Sequence, residues 1–106
     1  MRLLSRNEEI VLMAVWKLMG NAYGVTIKEL VSDLTGYIWK FGAVYVALDK
    51  LTLKGFVWKY NSAPVPERGG RSKVMYEVTS TGKLALKEIR QVNTALWDGI
   101  SDVAFD

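Results

Sequence analysis

No cysteine and no histidine occur anywhere in the 106 residues. Disulfides, thiolate nucleophiles and cysteine metal sites are thereby excluded. Zinc chemistry and imidazole acid–base catalysis go with the missing histidine. No apolar run reaches the ~20 residues that span a bilayer. The opening Met1-Arg-Leu-Leu-Ser-Arg-Asn-Glu-Glu9 puts acids where an export signal needs its apolar core, so a cytoplasmic location is expected. The only two prolines, Pro64 and Pro66, lie in one short segment, separated by Val65. Catalytic carboxylates are missing in the same sense: Glu8 and Glu9 are explained by helix capping, and Asp98, Asp102 and Asp106 crowd the tail. Paired carboxylates need a pocket that fixes their separation, and nothing in the chain supplies one. The sequence reads as a protein that is not an enzyme and carries no cofactor.

What is present suits one folded domain with a modest core: half of the residues are apolar and 24% are charged. A chain of this length buries roughly 65% of its unfolded surface. The net charge is +3, and 11 of the 14 Lys/Arg precede residue 74. That placement hints at a polyanionic partner for the first two thirds of the chain.

Ser5 followed by Glu8 is a capping-box signal, which predicts a helix over about 6–19. Its run Ile10-Val-Leu-Met-Ala-Val-Trp16 is apolar on every side, so one face packs on its own domain and another meets a second chain. Ile10 and Met13 are the residues expected there. Thr26 with Glu29 reads as a second capping box, opening a helix to about residue 35 with Ile27, Leu30, Val31 and Leu34 at helical spacing. A third helix is predicted over 40–54, stopped by Gly55. Phe41, Val44, Tyr45, Leu48 and Leu51 share one face, and Gly42, Ala43, Val46, Ala47 and Lys50 the other.

Residues 56–61 and 73–78 read as two strands, joined by a long loop in which Pro64, Pro66, Gly69 and Gly70 cannot sustain a ladder. A last helix follows over about 79–98. Within it Ala85, Ile89, Val92, Leu96, Gly99 and Val103 recur at spacings of four and three, the seam of a helix that pairs with another. The fold class is α+β, mostly α. Its order of three helices, strand, loop, strand and helix fits a winged helix-turn-helix over 1–79, with a dimerisation helix and tail over 80–106.

Glu67-Arg-Gly-Gly-Arg-Ser-Lys73 is no phosphate cradle of the nucleotide-binding kind, because its glycines are adjacent and a strand, not a helix, follows. It reads instead as a basic wing tip, with Arg68, Arg71 and Lys73 as candidates for DNA phosphates or the minor groove. On the third helix, Lys40, Gly42, Ala43, Val46 and Lys50 are the candidate reading residues. Small side chains let a helix sit deep in the major groove, and alanine or valine can touch a thymine methyl. Tyr45 is placed half in the core with its hydroxyl within reach of a phosphate. Lys28 and Lys59 could flank the backbone. Trp39 and Trp58 suit core or wing-base packing, whereas Trp16 and Trp97 lie on the two helices expected to pair. They are either interface packing or the walls of a groove that stacks on planar ligands.

Three stretches resemble the PadR-like family of transcription regulators. Tyr23-Gly-Val-Thr-Ile27 is similar to the family's opening of the second helix, through Gly24 and Ile27. Gly42-Ala-Val-Tyr-Val-Ala-Leu-Asp-Lys-Leu51 with Gly55-Phe-Val57 resembles its recognition helix and exit. Gly69-Gly-Arg-Ser-Lys-Val-Met-Tyr-Glu-Val-Thr-Ser-Thr-Gly82 resembles its wing signature. Ala43 stands where the family usually has Ser or Thr, and Val46 where it has proline. The resemblance implies a homodimer formed through the first and last helices, binding double-stranded DNA, mostly as a repressor. In the short subgroup some members take planar aromatic compounds between the subunits. Two other readings stay open: a winged-helix adaptor for another protein, and a small-molecule-binding dimer with little DNA specificity.

Overall fold

The computed structural model describes residues 4–63 and 72–101. Among these run α1 (Arg6–Lys17), α2 (Gly24–Thr35), α3 (Phe41–Leu53), β1 (Val57–Asn61), β2 (Val74–Val78) and α4 (Ser80–Trp97). The order is the expected one, and each expected boundary moves by no more than two residues except the start of α2, which lies three residues earlier.

Helix α1 starts where its capping box dictates. The Glu8 amide donates to Ser5 Oγ at 3.2 Å and the Ser5 amide donates back to Glu8 Oε1 at 2.9 Å. The second start is corrected. Thr26 does not cap α2 from outside; it sits in the first turn, where its Oγ1 accepts from the Tyr23 amide at 3.0 Å and its proton is shared between the Asn21 and Tyr23 carbonyls. The same hydroxyl chemistry is read in reverse, so the helix begins at Gly24.

The core gathers Val11, Leu12 and Val15 of α1, Ile27 and Val31 of α2, Val44, Leu48 and Leu51 of α3, and Val57, Tyr76 and Val78 of the sheet. Each such side chain contributes about 1.5–3 kcal/mol by leaving water. Ala47, read from the sequence as facing outward, is buried with this group. The strands pair antiparallel from Val57↔Val78 to Asn61↔Val74. One further backbone bond, Tyr76 N–H to the Ala22 carbonyl at 2.8 Å, fastens the hairpin to the link before α2.

Helix α3 ends in two nested turns: Gly55 takes φ +77°, its amide donates to Thr52 O, and the Phe56 amide reaches back to Leu51 O. Both later elements close on this exit. Thr79, the N-cap of α4, accepts from the Gly82 amide at 3.0 Å and donates through Oγ1 to Gly55 O at 2.7 Å. Gly82 lies so close to the Phe56 carbonyl that a Cβ there would collide with it, which accounts for the Thr-x-x-Gly spacing. On the other side, Lys54 Nζ lies 2.6 Å from Glu8 Oε2.

The Glu8 side chain is 6% exposed. Burial pushes its pKa up, but hydrogen bonds from Lys54 and Ser5, together with the lysine's charge, outweigh burial and hold it below the ordinary value.

Two outcomes follow. Glu8→Ala should cost about 1–2 kcal/mol at neutral pH, since Lys54 can partly rehydrate. Because the folded carboxyl titrates below its unfolded value of 4.5, that contribution is complete above pH 4.5 and is lost as pH falls through the folded pKa. Denaturation of wild type and Glu8→Ala across pH 3–7 (about that span) should therefore show a gap that closes on acidification. Gly82→Ala, which sets a methyl against a backbone carbonyl, should cost about 1–3 kcal/mol in the same assay.

Candidate nucleic-acid interface

The turn between α2 and α3 is pinned by one residue. Trp39, 4% exposed, donates its amide to Ser32 Oγ at 3.0 Å and its indole N–H to Thr35 Oγ1 at 3.1 Å. Gly36 closes α2 in the left-handed conformation with its amide on Ser32 O. These bonds fix how α3 leaves α2, and so the angle at which its outer face is offered.

Residues Gly42, Val46 and Lys50 are exposed and four apart, so they form one stripe along α3, with Lys40 exposed at its N-terminal end. Asp49 and Leu53 extend that face. Ala43 is only half exposed and packs against the core; of the candidate reading residues it is the one turned partly inward. This exposed face of α3 thus carries small or aliphatic side chains, two lysines and one aspartate.

Along the groove between α2 and α3 runs a row that the sequence did not announce. Lys28 Nζ sits 5.2 Å from the centre of the Phe41 ring, and Phe41 stacks on Tyr45 with centroids 6.3 Å apart. The Tyr45 hydroxyl lies against Gly24, where any Cβ would overlap it. Tyr45 remains 43% exposed, close to its expected half-buried state. The Tyr76 hydroxyl is held above its ordinary pKa by burial, with Tyr45 and Asp49 adding to the effect. Gly24 was recognisable only as part of a family-like stretch; the tyrosine that needs it is 21 residues away in sequence.

At the base of the wing, Ser62 and Lys73 exchange hydrogen bonds: Ser62 N–H to Lys73 O at 2.8 Å, and Lys73 N–H to Ser62 Oγ at 2.8 Å. Lys73 Nζ lies 4.0 Å from the centre of the Tyr23 ring. This half-buried lysine therefore ties the wing to the start of α2 by a cation–π contact. Arg68 and Arg71, the other wing candidates, lie outside the described residues. Trp58 meets Tyr60 in a tilted ring contact, centroids 4.9 Å apart and planes at 33°.

Away from this surface, α1 and α4 enclose an open cleft of about 1090 Å³ that brings Trp16 and Trp97 to one wall system, with Met13 and Leu84 beside them. Arg6, Lys83, Lys87 and Arg90 outnumber Glu9 and Asp98 around it. Lys83 Nζ lies 5.4 Å from the Trp16 ring centre. The expected pairing seam divides. Ala85 and Ile89 are buried within the chain's own core and Ile10 packs against it, whereas Met13, Val92 and Leu96 are exposed. From Arg90 to Ser101 every described residue is exposed. Among the described residues no His/Cys/Asp/Glu cluster suits a metal ion, and no helix is long and apolar enough to cross a membrane.

A three-helix core with a pinned turn, a hairpin fastened to it and an outward-facing third helix defines a winged helix-turn-helix. Residues 11–88 match the transcriptional regulator PadR-like family, and the chain belongs to that family. No curated protein matches it in sequence. Its fold is similar to that of a transcriptional regulator of Thermoplasma acidophilum, at TM-score 0.72 and 22% identity over 94% of each chain. A PadR family transcription regulator of Clostridium difficile superposes at TM-score 0.67, with 22% identity over 93% of this chain and 94% of that one. RosR of H. salinarum does so at 0.68, with 23% identity over 95% of this chain and 84% of that one.

Gly24 and Gly82 offer a contrast that checks the geometry. Gly24→Ala pushes on the free end of a tyrosine that can swing outward, so it should cost under about 1 kcal/mol. It should raise the exposure of Tyr45, read by ultraviolet absorbance of the tyrosine on solvent perturbation, and Tyr45→Ala should cancel the cost.

Proposed function

We propose that the chain is a homodimeric, sequence-specific DNA-binding repressor. Each subunit sets α3 into a major groove and lays its wing along the adjacent backbone. The observation that carries this reading is the Gly42–Val46–Lys50 stripe, held outward while the opposite side of α3 is buried. Small residues admit the helix deeply; Val46 can meet a thymine methyl and Lys50 a guanine edge. Lys28, Lys40, Tyr45 and the wing residues Arg68, Arg71 and Lys73 take the phosphate-contacting roles. Ala43, half turned to the core, contributes close approach more than contact.

Dimerisation through α1 and α4 is supported by the distal half of α4. Val92 at 37%, Leu96 at 67% and Trp97 at 54% keep apolar surface exposed there. The radius of gyration of 16.0 Å exceeds the ~12–13 Å of a compact chain of this length, consistent with a helix that projects toward a partner. Ala85 and Ile89 then serve as the hinge of that helix on its own domain, and Met13 joins the exposed contact. Repression follows from occupation of the promoter. The Trp16–Trp97 cleft, shared in such a dimer, suits a planar aromatic effector that binds the DNA-incompetent arrangement better and so relieves repression. One observation favours the adaptor reading in parallel: Tyr37 and Ile38, the latter 83% exposed, make the α2–α3 turn more apolar than a purely DNA-facing turn needs.

Selecting bound fragments of the source genome at two salt concentrations tests the proposal. A defined palindromic site should emerge. Arg71→Ala should weaken all sequences alike and lower the salt slope by about one, whereas Val46→Gln should change preference at one base position. Recovery of no enriched sequence at either salt would contradict it.

A further inference from the structure

The exit of α3 is held from both sides by residues whose first duty is elsewhere. Glu8 caps α1, yet its second carboxylate oxygen lies 2.6 Å from Lys54 Nζ. Thr79 caps α4, yet its Oγ1–H reaches Gly55 O at 2.7 Å and its amide reaches Phe56 O at 3.0 Å. Gly82 removes the last clearance against the same Phe56 carbonyl. Three consecutive residues, 54–56, are thus fastened to the N-terminal ends of the two helices that form the Trp16–Trp97 cleft. The fastening is polar and directional, and at Glu8–Lys54 it is charged, with the Glu8 side chain buried and Lys54 partly exposed. The N-terminal ends of α1 and α4, positive by their dipoles, here meet the negative end of α3. A shift of either cleft helix therefore carries residues 54–56 with it or breaks these bonds.

We propose that Glu8, Lys54 and Thr79 are positioning residues that transmit changes in the α1–α4 cleft to the orientation of α3. This rests on the DNA-binding reading above and assigns it a mechanical route of regulation. The joint has two independent attachments, one to each cleft helix, so spreading of the cleft becomes rotation of the reading helix instead of translation of the whole domain. Coupling of this kind needs a physical element that both sites bias, and residues 54–56 are that element.

The test uses the full chain with 8-anilinonaphthalene-1-sulfonate as cleft probe, chosen because it is aromatic and anionic where the cleft is aromatic and predominantly basic. A trifluoromethyl tag on Leu53→Cys, unique in a chain without cysteine, reports α3 by fluorine NMR with or without DNA. The probe should move the fluorine resonance of the tagged chain and, in the untagged chain, change affinity for the selected operator by about five-fold or more, within the usual range of allosteric coupling. In Lys54→Met/Thr79→Val, quenching of tryptophan by the probe should persist. The fluorine shift should vanish there and the affinity change should fall below about two-fold. Thr79→Ser, which keeps both hydrogen bonds, should behave as wild type, separating lost coupling from mere loss of stability. An unchanged response in the double variant, or no fluorine shift in the wild type, overturns the proposal. If the wild type prefers no operator while the fluorine pattern holds, the joint stands and the DNA-binding reading fails.

Discussion

Val11, Leu12 and Val15 of α1 and Val44, Leu48 and Leu51 of α3 belong to one buried cluster, and that seam decides how the remaining surfaces are used. With its inner stripe committed, α3 has only Gly42, Val46, Lys50 and their neighbours to offer outward. With its core stripe committed, α1 has Met13 and Trp16 left over. The same burial that stabilises the domain therefore sorts the residues of both helices into a committed stripe and an exposed one. Trp39 completes the arrangement by fixing the turn through two hydrogen bonds to α2.

Charge and shape are divided between different parts of the molecule. The exposed stripe of α3 holds little charge, so on the proposed reading it would discriminate among base edges without supplying much of the attraction. In DNA recognition phosphate contacts position and base contacts specify. Lys28 and Lys73 are partly engaged with aromatic rings, over Phe41 and Tyr23. A lysine held over a ring keeps its charge but loses rotamer freedom in advance, which on the proposed reading would lower the entropy lost on phosphate contact. The wing base is likewise preorganised by the paired Ser62–Lys73 bonds and the Tyr76–Ala22 rung.

Much of this was legible before any coordinates. Ser5–Glu8 was readable because capping is local: donor, acceptor and partner lie within four residues. The strands and the α3 exit were readable because Gly55 and the aromatic, β-branched runs have few alternatives. Thr26 was misassigned for an equally local reason, since a hydroxyl near a helix start can serve forward or backward and spacing does not distinguish the two. Ala47 was placed outward because a small residue carries no signal of its own; its burial follows from how closely α3 approaches the rest of the core. The 85–89–92–96 seam was a sound period with a mixed destination. Periodicity shows which residues share a face, not where the supporting domain ends, and here it ends between Ile89 and Val92. Contacts such as Tyr45 on Gly24, Lys73 over Tyr23 and Lys54 with Glu8 join residues 21, 50 and 46 positions apart. Nothing in a linear reading couples them.

The account turns on two copies of α3 being presented together by paired α1 and α4. Hydroxyl-radical footprinting of the purified chain on its preferred genomic fragment measures that most directly. Two protected patches related by a dyad and centred about one helical turn, 10–10.5 base pairs, or a multiple of it apart are the predicted result. A single unpaired patch, or protection without any dyad at saturating protein, would contradict it.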